Sequence, residues 1–100
     1  MLYIYRPTEG LFGGPTLMLF VDQKEIGELP PGRYVDLLVA PGGRLVRIEG
    51  KSDAVLEARL LAGESAFIEV QTGWGGLPTI TRPDVEDARL RIARTKRLAR

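Results

Sequence analysis

The chain contains no cysteine and no histidine. Without cysteine there is no disulfide, no thiolate metal site and no thiol nucleophile, and the redox compartment stays open. Without histidine, the side chain that most often serves as general base or zinc ligand near neutral pH is missing, and a serine–histidine–acid triad is excluded. Long apolar runs are also missing, since none approaches the roughly 18 residues of a membrane span. Met1-Leu2-Tyr3-Ile4-Tyr5 has no basic n-region, and its apolar part is too short for a signal peptide. The expectation is a cytoplasmic protein, or one whose export signal has been removed ahead of Met1. Net charge is only +1 over 100 residues, with 44% hydrophobic and 27% charged side chains. That composition fits one globular domain, residues 1–100, with no overall pull toward nucleic acid or anionic membrane.

What charge there is lies unevenly. Residues 1–81 carry seven Lys/Arg and ten Asp/Glu, whereas residues 82–100 carry seven and three. A slightly acidic body therefore bears a basic tail.

The chain is organised around Leu17 to Gly43, three apolar runs separated by Asp22-Gln23-Lys24 and Pro30-Pro31-Gly32 and closed by Pro41-Gly42-Gly43. Short runs rich in branched and aromatic residues, bounded by Pro and Gly, predict antiparallel strands. Leu17–Val21 and Glu25–Leu29 form a hairpin, with Gly27 at a bulge or close backbone approach, and Arg33–Ala40 continues the meander. Both faces of Leu17–Val21 are apolar, which predicts a central strand covered on both sides, or one covered by a helix. Leu2–Arg6 is the first strand, with Leu2 and Ile4 alternating with Tyr3 and Tyr5. Arg44–Glu49 turns Val46 and Ile48 inward. Ala54–Leu61 has helical propensity but is read as a strand, because it is short and follows one. Ser65–Thr72 is a further strand, with Phe67 and Glu69 on one face and Ile68 and Val70 on the other. Asp84 caps a helix over about 84–98, with Glu86 and Asp87 in its first turn and basic residues toward its end. The fold class is an all-β antiparallel sandwich of about seven strands with one C-terminal α-helix.

Two places carry exposed-site potential. Trp74 sits between glycines, and it either lids the open end of the core or forms a stacking platform for a sugar, with Tyr3 or Tyr5. Leu11 and Phe12, at the tip of a glycine-rich loop, either fold back on the core or form a docking knob. Asp22, Glu25 and Glu28 straddle the hairpin but lack the alternation of a calcium loop, so no metal site is assigned. Gly10, Gly13 and Gly14 make no phosphate loop. Arg89, Arg91, Arg94, Lys96, Arg97 and Arg100 are spread round the helix without interleaved aromatics, which argues against nucleic acid. No catalytic residue and no cofactor is assigned.

The order Tyr3-Ile4-Tyr5-Arg6-Pro7, Phe20-Val21-Asp22, Ile26-Gly27-Glu28-Leu29, Gly32-Arg33-Tyr34 and Ala40-Pro41-Gly42 resembles a family of small bacterial envelope proteins. These are usually lipoproteins with a β-sandwich domain of unassigned function, similar in style to PEGA-type surface modules. Ala62-Gly63-Glu64 before Phe67-Ile68-Glu69-Val70, and the C-terminal helix, fit the same pattern. The resemblance implies a non-enzymatic binding or structural module of the cell envelope, periplasmic or anchored at the outer membrane. It would contact protein partners through a sheet edge or the helix, and reach a membrane only through an anchor absent from this chain. A glycan (peptidoglycan)-binding module using Trp74 and the tyrosines is the alternative.

Overall fold

A computed structural model describes residues 1–8 and 14–98 of the chain. Among these, strands dominate: β1 (Leu2–Arg6), β2 (Met18–Val21), β3 (Lys24–Glu28), β4 (Arg33–Leu37), β5 (Gly42–Glu49), β6 (Asp53–Leu60), β7 (Ala66–Thr72), β8 (Pro78–Thr81) and β9 (Lys96–Arg97). One helix, α1 (Val85–Ile92), lies between β8 and β9. The strands form two sheets, β8-β7-β1-β4-β9 and β3-β2-β5-β6. The fold is the expected all-β sandwich with a C-terminal helix.

The β2–β3 hairpin turns on Asp22 and Gln23, both with positive φ (50° and 68°). Two successive left-handed residues give the turn whose twist matches paired strands. Neither is glycine, and Asp22 is held from outside. Its backbone N–H donates to Leu45 O at 2.8 Å, and its carboxylate accepts from Leu45 N at 2.8 Å and from Arg44 Nη1 at 3.1 Å. At Gly27 the register slips by one residue between Leu19 and Phe20, the expected bulge, and φ there is 136°.

The meander does not continue into β4. After Pro30-Pro31, Gly32 takes a φ of 76° and its N–H donates to Arg6 O at 2.7 Å, so β4 crosses to the other sheet and pairs antiparallel with β1. The first sheet is also not wholly antiparallel: β1 runs parallel to β7, and β4 parallel to β9. Among the described residues the strands number nine rather than about seven, because β8 is a full partner of β7 and β9 takes the place of the expected helix's end.

The core lies between the sheets. Leu2, Ile4, Val35, Leu37, Ile68 and Val70 from one meet Leu19, Val21, Val46, Ile48, Ala58 and Leu60 from the other. Each fully buried aliphatic side chain contributes about 1.5–3 kcal/mol relative to exposure. The outer side of β2 is not under a helix; its Phe20 ring is covered by the Arg47 guanidinium, 3.9 Å from the centroid.

The helix expected over about 84–98 stops at Ile92. Its start is as expected, with the Asp84 carboxylate accepting from Glu86 N at 3.2 Å. Its end is set by competition. Thr95 folds back, its hydroxyl donating to Ile92 O at 2.6 Å, and the free edge of β4 then takes the chain. Lys96 N donates to Gly32 O at 2.9 Å and Leu98 N to Tyr34 O at 2.8 Å, while Leu98 packs on the core. Two ladder bonds and a half-buried leucine outweigh one more solvated helical turn.

Candidate functional site

Alternation in β1 and β7 sets what lies beneath α1. Leu2, Ile4, Ile68 and Val70 point into the sandwich, so Tyr3, Tyr5, Phe67 and Glu69 point outward. Ala88 and Ile92 of α1 close over that face and make a second, aromatic cluster with Tyr3, Tyr5, Tyr34 and Phe67. Covered on one side by the opposite sheet and on the other by α1, β7 is buried at five successive residues, Ala66 to Val70.

Glu69 is therefore a buried acid, only 4% exposed. A carboxylate removed from water is costly unless donors surround it. Its Oε1 accepts from Tyr5 Oη at 2.7 Å and from Arg91 Nη1 at 2.8 Å, and its Oε2 accepts from Gln71 Nε2. Burial, then the Glu69 bond and charge, push the Tyr5 hydroxyl well above its ordinary value of 10.0. Glu69 likewise raises Arg91 through its hydrogen bond and charge. The arrangement joins β1, β7 and α1 through one carboxylate. Three donors from three parts of the chain hold it in place, so it serves as a clasp.

Two clefts flank α1. One, of about 340 Å³, is lined by Thr8, Glu69, Gln71, Arg91, Arg94 and Thr95 among others. The other, of about 370 Å³, runs along Tyr3, Tyr34, Phe67, Arg89 and Ile92. Among the described residues, no group of three or more His, Cys, Asp or Glu side chains could hold a metal ion, and no helix is long and apolar enough to cross a membrane.

The residues singled out in the sequence are not brought together. Tyr5 is fully buried, its hydroxyl committed to Glu69. Tyr3 is half-buried and stacked on Phe67, with ring centroids 4.9 Å apart. Trp74 does not lid the core. It stands 96% exposed on a single 3₁₀ turn, Trp74–Gly76, between β7 and β8, with Leu77 49% exposed beside it. Tyr3 pairs with Phe67, seven residues before Trp74, which is roughly 20 Å along the strand. The tyrosines and Trp74 therefore do not share a platform. Leu11 and Phe12 lie outside the described residues.

Glu69 was the residue to notice. Its place between Ile68 and Val70, in phase with Phe67, puts an acid on a face that buries an aromatic ring. Arg91, three positions after Ala88, is its natural partner once a helix covers that face.

Comparison with known proteins finds no matching family model, no matching curated protein and no matching solved structure.

Proposed function

We propose that the chain is a non-enzymatic binding module of the bacterial cell envelope that contacts a protein partner through the Trp74 turn. The observation that carries this reading is Trp74 itself. A tryptophan left 96% exposed on a turn shaped by Gly75 and Gly76, with φ of 69° and 77°, is a large apolar anchor held by backbone geometry. Tryptophan is among the residues that most often dominate interface energetics. The envelope assignment rests on the sequence resemblance.

The sheet edges favour the turn over strand addition. β3 is bulged and exposes Lys24, Glu25 and Glu28. β6 alternates Asp53, Val55, Glu57 and Arg59 outward, and Arg82 Nη1 donates to its Arg59 O at 2.7 Å. β8 is four residues long and starts at Pro78, and β9 is two basic residues. These are devices that discourage pairing with another strand.

The test is a pull-down comparing the wild-type chain with Trp74→Ala at matched stability. A partner retained by the first and lost by the second supports the reading; identical partner profiles overturn it. The glycan reading keeps Trp74 as a stacking surface but without Tyr3 and Tyr5. As the sole tryptophan, Trp74 would report peptidoglycan fragments directly by a saturable emission change.

A further inference from the structure

We propose that the cleft between Thr8, the outer face of β7 and the end of α1 is a binding site for a small monocarboxylate group, with Arg91 and Arg94 as its recognising cations. Arg91 is preorganised: its Nη1 is pinned at 2.8 Å by Glu69, which is itself fixed by Tyr5 and Gln71. A guanidinium has five N–H donors, and this bond uses one. Arg94 lines the same cleft, and its guanidinium meets no side-chain or backbone acceptor among the described residues. A fork held rigid by a buried acid, with a second free guanidinium beside it, is a suitable receptor for a planar carboxylate.

Charge decides between anions. Glu69 cancels one of the two arginines, so the cleft lining keeps a single positive charge, which matches a monoanion and disfavours a phosphate dianion. The negative end of the helix dipole, which disfavours an anion, is partly offset here by donors to the last carbonyls. Ile92 O accepts from both the backbone N–H and the hydroxyl of Thr95, at 2.9 and 2.6 Å, and Arg91 O accepts from Arg94 N at 3.1 Å. The volume, about 340 Å³, is at the small end of ligand pockets and fits a chain terminus or a small organic acid.

The experiment is an NMR titration of the whole chain with N-acetylglycine, its neutral amide and inorganic phosphate, read at the Gln71 side-chain amide and the Thr95 backbone amide. The expected result is a saturable shift with N-acetylglycine, none with the amide, and weaker binding of phosphate. Arg94→Gln should weaken N-acetylglycine at least about tenfold. Arg94 is exposed and its side chain holds no other residue by a hydrogen bond or ion pair, so this variant keeps its fold, and an unchanged melting temperature verifies that. Arg91→Lys, which keeps the charge and loses the fork, should also weaken binding. Acetyl-tetraglycine distinguishes the two sources of the carboxylate: tighter binding than N-acetylglycine indicates a peptide terminus, equal binding a free acid. Shifts that fail to saturate, that persist with the amide, or that survive Arg94→Gln unchanged would overturn the proposal.

Discussion

Replacing Tyr5 by phenylalanine tests the buried clasp with almost no change of shape. The ring stays packed among Phe67 and Ala88, and only the hydroxyl that donates to Glu69 Oε1 at 2.7 Å is lost. A hydrogen bond to a charged group is worth about 1.5–3 kcal/mol. Arg91 and Gln71 still hold the carboxylate, so the lower half of that range applies, about 2 kcal/mol. For a domain of this size the melting temperature should fall by about 8–16 °C. Urea unfolding followed by far-UV circular dichroism is the assay, because an exposed Trp74 makes fluorescence a poor probe. The pH dependence adds a second signature. The folded-state pKa of Tyr5 lies above its unfolded value, so the native chain holds this proton where the unfolded chain releases it. Its contribution is fully present below about pH 10 and is lost as pH climbs toward the folded value, at up to about 1.4 kcal/mol per pH unit. Tyr5→Phe should lack that part of the alkaline slope. A loss under about 0.5 kcal/mol, or an unchanged alkaline slope, would refute the reasoning.

Other substitutions probe separate parts of the account. Gln23→Gly relieves a left-handed residue and creates the Asp-Gly pair that such turns favour, so it should stabilise by about 0.5–1 kcal/mol in thermal unfolding. At Gly50 an added Cβ would lie 2.8 Å from Cδ2 of the fully buried Leu17, so Gly50→Ala should cost about 1–3 kcal/mol by the same measurement. Trp74→Ala should change stability by less than about 0.5 kcal/mol, since the ring contributes nothing to the core; a larger loss would mean it packs on the chain in solution.

The strands were legible where local pattern and burial agree. Val46 and Ile48 alternate with Arg47 and Glu49 because only one face of β5 is covered, and Asp22-Gln23 marks its turn by polarity alone. Ala54–Leu61, ambiguous by propensity, could be read as a strand from its length and neighbours. The crossing of β4 was not legible, since Pro30-Pro31-Gly32 marks a break without saying which sheet the chain joins next. β9 was hidden for a similar reason: Lys96 and Leu98 gain partners from Gly32 and Tyr34, more than sixty positions away in sequence, and no local signal reports that edge. Burial of Glu69 depends on α1 covering the outer face, a tertiary fact. Trp74 was open to opposite readings because flanking glycines permit either an inward or an outward ring.

The claim that a partner engages the Trp74 turn can be tested most directly by placing a photo-crosslinking residue at position 74 of the chain in living cells, with position 57 on the outer face of β6 as the control. The account predicts a discrete crosslinked protein from position 74 that is absent from position 57. Adducts of equal pattern from both positions, or none from position 74, would contradict it.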